Sequence, residues 1–299
     1  MIKTATQLKA KIRNLSGGDS DHAQVLIRNY FMERFLERVS LSQYRNNIIL
    51  KGGMLVAAVT GTENRATMDI DTTVTALPLT TENARRVIED IIRVEVPDET
   101  HFEIMKVSNI MEEHDYPGIR FVLEAQLDRM HQSIKVDIST GDVITPGAVE
   151  YAYKLMFDNR AIPLWTYNVE TLLAEKLETI MARQTFNTRM RDFYDIHILT
   201  EQGSINYVTV REAFLATSEM RNSVKLFPSF DEILNSVRND PVMQAMWEKY
   251  RRDNYFVGNI SWEDVNRSVK VLKDTAFSDR YLTTHSDHNR KKEHAQLEL

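Results

Sequence analysis

The chain has 299 residues, 42% of them hydrophobic, which is ample for packed cores, and two domains are expected. It has no cysteine, which excludes disulfides and thiolate metal sites and points to the cytoplasm. The formal net charge of −6 argues against a protein whose main task is to coat nucleic acid, so an anionic partner needs a local basic site.

In "MIKTATQLKAKIRNL" Lys3, Lys9 and Lys11 break every apolar run, so no secretory signal is expected. Nowhere do about 18 apolar residues follow one another, so no membrane span is expected. "HAQVLIRNYFMERFLERV" (22–39) carries Val25, Leu26, Phe31, Phe35, Leu36 and Val39 near helical spacing, with Asp19, Ser20 and Asp21 as candidate caps. "NIIL" (47–50), "KGG" and "MLVAAV" read as a strand, a glycine turn and a helix, and "RATMDIDTTV" (65–74) as a strand. "LTTENARRVIEDIIRV" (79–94) is a helix capped by Thr80 or Thr81. Three strands follow: "HFEIMKVS", "GIRFVLEAQLD" and "SIKVDIS". In the second, Ile119, Phe121, Leu123, Ala125 and Leu127 share one face, and Pro117 with Gly118 marks the turn before it. In the third, Ile134, Val136 and Ile138 point one way, Lys135 and Asp137 the other. Around "DNRAIPLWTYN" the pattern turns helical, with helices over 169–184, 190–202, 207–220, 240–253 and 262–277. A boundary near 165 is expected, and 279–299 reads as a flexible tail with little to bury.

Asp69 and Asp71 alternate with Met68, Ile70, Thr72 and Val74, which puts both carboxylates on one strand face about 7 Å apart. Two ionised carboxylates so placed shift a pKa, find a basic partner or hold a cation. The D-x-D pattern alone is unspecific, since it recurs at Asp19 and Asp21, where capping explains it. The second copy gains from its context. Asp137 joins the polar face from another apolar strand, and "KGG" opens a helix upstream, a combination that suits a nucleotide with magnesium. "KGGM" is also an ordinary tight turn, so a structural reading stands beside the functional one.

On a helical wheel of "VETLLAEKLETIMARQ", Lys176 falls inside the apolar arc of Leu172, Leu173, Leu177, Ile180 and Met181, while Glu170, Glu175 and Glu178 lie outside it. It either snorkels or pairs with a structural aspartate, or it serves a site. In "RDFYDI", Asp192 lies on the stripe of Ile196 and Leu199, with Asp195 beside it. Inward acidic and basic groups of the helical half are thus candidates to join those of the strand half. His197 reads as packing or capping, because no second histidine stands at metal-ligand spacing.

"KGGM" with "RATMDID", then "LLAEKLETIMAR" and "RMRDFYDIHIL", closely resembles the AbiEii family of nucleotidyltransferase-like toxins from bacterial abortive-infection, type IV toxin–antitoxin systems, over most of the chain. The resemblance implies an α/β (α+β) fold. A DNA polymerase β-type nucleotidyltransferase domain with a mixed sheet and N-terminal helices takes residues 1–165, and an α-helical domain over 166–278 completes the active site. By position, Gly52 and Gly53 would hold the triphosphate, Asp69 and Asp71 a Mg2+ or Mn2+ ion, Lys176 the phosphates, and Asp192 and Asp195 the helical side of the site. Met54 stands where relatives commonly carry Ser or Thr, and its side chain cannot hydrogen-bond phosphate. Asp137 as a third metal ligand comes from strand alternation and the general polymerase-like pattern. Characterised relatives add nucleotides to the acceptor end of tRNA, and translation stops. Their antitoxins are typically operon repressors that oppose the toxin without stable direct binding.

The expected reaction is in-line attack of a hydroxyl on the α-phosphorus of an NTP, GTP and CTP being candidates, with pyrophosphate leaving. Arg183, Arg189 and Arg191 surround Phe186, a set suited to an RNA acceptor by charge and stacking, or else simply a solvated helix junction. Two rivals keep the same triphosphate parts: nucleotidylation of a protein or small-molecule hydroxyl, and a nucleotide-sensing module without turnover.

Overall fold

Strand alternation builds a mixed sheet in the computed structural model, which describes residues 2–61, 65–110 and 118–278. Pro117 and the expected tail 279–299 lie outside the described residues. The chain divides into two compact units, Met1–Asp142 with Gly147–Tyr167, and Val143–Pro146 with the residues from Asn168 onward.

Among the described residues the first unit holds seven strands: β1 (Ile48–Lys51), β2 (Asp69–Val74), β3 (Thr100–Ile110), β4 (Gly118–Leu127), β5 (Met130–Thr140), β6 (Val149–Lys154) and β7 (Ala161–Thr166). They form one sheet in the order β3-β4-β5-β2-β1-β7-β6. The β1/β2, β3/β4, β4/β5 and β6/β7 pairs are antiparallel, and β1/β7 and β2/β5 parallel. The alternating apolar residues of β4 and β5 are buried as their period requires. The sequence reading names neither β6 nor β7. β6 is a sheet edge with Val149 and Glu150 exposed, and β7 carries Pro163, so neither shows a plain apolar alternation.

Among the described residues four helices belong to this unit: α1 (Ala5–Ser16), α2 (Ser20–Leu41), α3 (Gly52–Thr60) and α4 (Thr81–Ile92). Side-chain caps start three of them, with Thr4, Asp19 and Thr80 accepting from backbone N–H groups of the first turn. The residue pattern alone does not mark α1, which lies where the resemblance implies N-terminal helices. α2 buries Phe31, Phe35 and Leu36 together with Glu33, Arg34, Glu37 and Arg38. Pairing makes this tolerable: Arg38 grips Asp98 at 2.9 and 3.0 Å, and Glu37 meets Arg34 at 2.6 Å and Arg160 at 2.8 Å.

The second unit contains α5 (Val169–Arg183), α6 (Met190–Glu201), α7 (Tyr207–Met220), α8 (Phe230–Asn239), α9 (Pro241–Asp253) and α10 (Trp262–Ala276). α8 was not anticipated. Their apolar stripes meet in a core that includes Leu173, Leu177, Phe193, Phe214, Phe230, Trp247 and Val269. Glu178 corrects the helical wheel: it is 2% exposed, held by Arg221 and by Ser223, each at 2.7 Å. The wheel registers apolar neighbours and is blind to a buried acid that has its partners on other elements. Among the described residues no helix is long and apolar enough to cross a membrane.

Candidate active site

Register across four strands assembles the acidic face. Arg120 of β4 stands opposite Asp137 of β5, Asp137 opposite Asp71 of β2, and Asp71 opposite Lys51 of β1. Directly paired residues point to the same side of a sheet, so the row reads arginine, aspartate, aspartate, lysine on one face. Asp69, two residues before Asp71, adds a third carboxylate. One oxygen from each of Asp69, Asp71 and Asp137 lies within 4.8 Å of the others.

The glycine turn is pressed against this row. Gly52 has φ +66°, and a Cβ added there would lie 2.0 Å from Asp71 Oδ2. At Gly53 a Cβ would meet Thr67 Oγ1 at 2.7 Å. The turn opens α3 with no side-chain cap, so its first N–H groups are left to other partners. Met54 is 2% exposed with its side chain in the core, so what it offers a phosphate is its backbone N–H.

Two basic groups bracket the carboxylates. Arg120 Nε donates to Asp137 Oδ1 at 2.7 Å and its Nη2 to Oδ2 at 2.5 Å, and this grip raises the arginine pKa above its ordinary value. Lys51 donates to Asp142 Oδ2 at 2.7 Å, which also accepts from Ser139 Oγ at 2.7 Å. Burial pushes the Asp142 carboxyl up, and the charge and hydrogen bond of Lys51 with those of Ser139 and Thr73 outweigh it, leaving the pKa lowered.

The three oxygens fit a divalent cation. Ligand distances of about 2.1 Å place oxygens about 3–4 Å apart around an octahedral ion, which oxygens lying within 4.8 Å of one another can meet. The set is all carboxylate, which suits Mg2+ or Mn2+ over soft metals.

In the second unit Lys176 of α5 reaches Asp192 Oδ1 at 3.0 Å and Asp195 Oδ2 at 2.8 Å, with the side chains 11%, 8% and 0% exposed. The aspartates are three residues apart on α6, so one ammonium bridges both. Asp192 Oδ2 is buried without a hydrogen-bond partner. Arg183 ends α5, Arg189 precedes α6 and Arg191 lies exposed in its first turn. Phe186, on the 3-10 turn Gln184–Phe186 connecting α5 to α6, is 88% exposed. His197 is buried with Nδ1 2.8 Å from Ser268 Oγ, a packing position.

Sequence reasoning missed Arg120, Lys51 and Asp142. The signal for Arg120 was present: the two-residue turn Asp128–Arg129 joins β4 to β5, Asp128 takes a left-handed φ of +54°, and counting back from that turn sets Arg120 against Asp137.

The structure is similar to that of JHP933 from Helicobacter pylori, at 14% identity over 90% of this chain and 98% of that one, with a TM-score of 0.48. It is also similar to that of an antigenic nucleotidyltransferase-like protein from Paracoccidioides brasiliensis, at 14% identity over 76% of this chain and 94% of that one, with a TM-score of 0.36. Both scores are low, and no curated protein matches the sequence. Residues 34–266 match the family described as nucleotidyl transferase AbiEii toxin, type IV TA system. That span is well over half of the chain, which therefore belongs to the AbiEii nucleotidyltransferase toxins of type IV toxin–antitoxin systems.

Proposed function

We propose that this nucleotidyltransferase moves a nucleoside monophosphate from an NTP to the 3′ acceptor end of tRNA in the cytoplasm, arresting translation and growth in abortive infection by phage. The observation that carries the reading is the meeting of Asp69, Asp71 and Asp137 within 4.8 Å against the Gly52 turn. Carboxylates gathered at that spacing repel one another, which supports a ligand cation as the reason for their meeting.

In this reading Asp69, Asp71 and Asp137 hold Mg2+ or Mn2+, which when bound offsets charge on the attacking and leaving oxygens. Gly52 lets the turn approach Asp71, and the N–H groups of Gly53 and Met54 at the start of α3 face the triphosphate. Asp137 orients the 3′ hydroxyl. The oxygen of that hydroxyl bonds the α-phosphorus as its proton passes to Asp137 and the bond to pyrophosphate breaks, pyrophosphate leaving with that electron pair. Lys176, held by Asp192 and Asp195, offsets charge on the β- and γ-phosphates. Arg183, Arg189 and Arg191 take the acceptor's phosphates, and the exposed Phe186 ring offers a stacking surface. The matching antitoxin represses the operon and forms no stable complex with this chain.

The test is incubation with each α-labelled NTP, magnesium and total RNA. Label is expected in the tRNA fraction, and periodate oxidation of the 3′ end is expected to block it. R189E with R191E is expected to abolish transfer while NTP binding holds. Label on protein alone would replace tRNA with a protein hydroxyl as acceptor.

A further inference from the structure

The third carboxylate of the acidic face already has a cation. Arg120 presents its Nε and Nη2 to both oxygens of Asp137, a two-pronged grip set by direct register of β4 with β5. The same Nη2 stands 4.0 Å from Asp69 Oδ2, so the guanidinium leans into the carboxylate cluster instead of away from it. The fork lies along the edge that presents both oxygens, and that edge is also what a carboxylate offers a metal ion. The Arg120 side chain is 34% exposed while that of Asp137 is 12% exposed, so the arginine has room to swing and the aspartate does not. A guanidinium matches phosphate as well as carboxylate, so a displaced Arg120 has a second partner wherever a triphosphate lies beside the cluster.

From this geometry we infer that Arg120 is an exchangeable counter-ion. It occupies Asp137 when no divalent cation is bound, gives that carboxylate up when one binds, and turns to the triphosphate, so that metal and nucleotide each tighten the other. The inference rests on the reading of Asp69, Asp71 and Asp137 as cation ligands. Its consequence is economy of loading: the cluster holds metal weakly without nucleotide and firmly with it, the coupling being reciprocal.

The experiment is titration with Mn2+, followed by loss of the free-ion electron paramagnetic resonance signal, on the wild type, R120Q, R120K and the D69N/D71N pair. Each is measured alone and with α,β-methylene analogues of GTP and CTP. Without nucleotide, R120Q and R120K are both expected to bind Mn2+ about tenfold more tightly than the wild type, the scale of one charge-assisted pair removed. R120K keeps the charge and lacks the fork, so its gain separates the grip from simple charge removal. The analogue that binds is expected to tighten Mn2+ binding in the wild type and to lose most of that effect in R120Q. R120K at wild-type affinity, R120Q weaker than wild type, or coupling undiminished in R120Q would overturn the inference, and weakening in R120Q would make Arg120 a fixed orienter of Asp137. Unchanged Mn2+ binding by D69N/D71N would instead remove the cation reading beneath it.

Discussion

The two charged clusters of this protein use the same residue types to opposite ends. On the sheet, Asp69, Asp71 and Asp137 come from strands far apart in sequence and stand with oxygens within 4.8 Å of one another, partly open to solvent. In the helical unit one ammonium sits between two carboxylates, and the three side chains are almost wholly buried. The first arrangement gathers three carboxylates beside one arginine fork and is compatible with a bound cation. The second clamps α5 to α6 and is costly to break. A charge cluster is therefore read from its balance and its exposure, which the presence of acids and bases alone does not give.

The sharpest contrast comes from removing one charge from each cluster. K176M strands Asp192 in the interior and takes one cation from Asp195, and is expected to lose roughly 3–5 kcal/mol of stability, read by thermal or urea unfolding. A variant that melts like the wild type but no longer binds NTP would erase the contrast and make Lys176 a phosphate group only. G52A comes next. Its methyl needs the space of Asp71 Oδ2, 2.0 Å away, in a left-handed backbone, so a loss of roughly 1–3 kcal/mol is expected. Metal binding should fall with it, because Asp71 must move. An active, fully stable G52A would show that the turn does not press on the site.

A pH effect sets where such melts are compared. Glu33, buried on α2, accepts from the Met156 N–H through both oxygens at 3.0 and 3.1 Å. Burial pushes its carboxyl from the ordinary 4.5 up to about 8, against that hydrogen bond and Arg34. The folded state then binds a proton that the unfolded state releases, so the stability this group contributes is full below about pH 4.5 and is lost as pH rises through about 8. E33Q is expected to flatten that decline, and an unchanged slope would assign it to another group.

Much of this was legible in the residues. Alternation gave the shared face of Asp69 and Asp71, the inward side of β4 and β5, and the placing of Asp137, because a period of two needs no tertiary information. Helical spacing put Lys176 inside its arc for the same reason. The partners were not legible. That Lys51 meets Asp142, or Glu178 meets Arg221 and Ser223, depends on loops and on helix packing, which a single-element pattern does not encode. β6 and β7 escaped because an edge strand and a proline-bearing strand lack the apolar alternation by which β4 was found.

If the sheet carboxylates are gathered for a cation and not for the fold, melting of D71N shows it most directly. In EDTA, D71N is expected to melt at or above the wild type, since it relieves repulsion, while added Mg2+ with NTP raises the melting temperature of the wild type alone. A D71N protein that is clearly less stable than the wild type in EDTA would contradict the account, because Asp71 would then be holding the fold together.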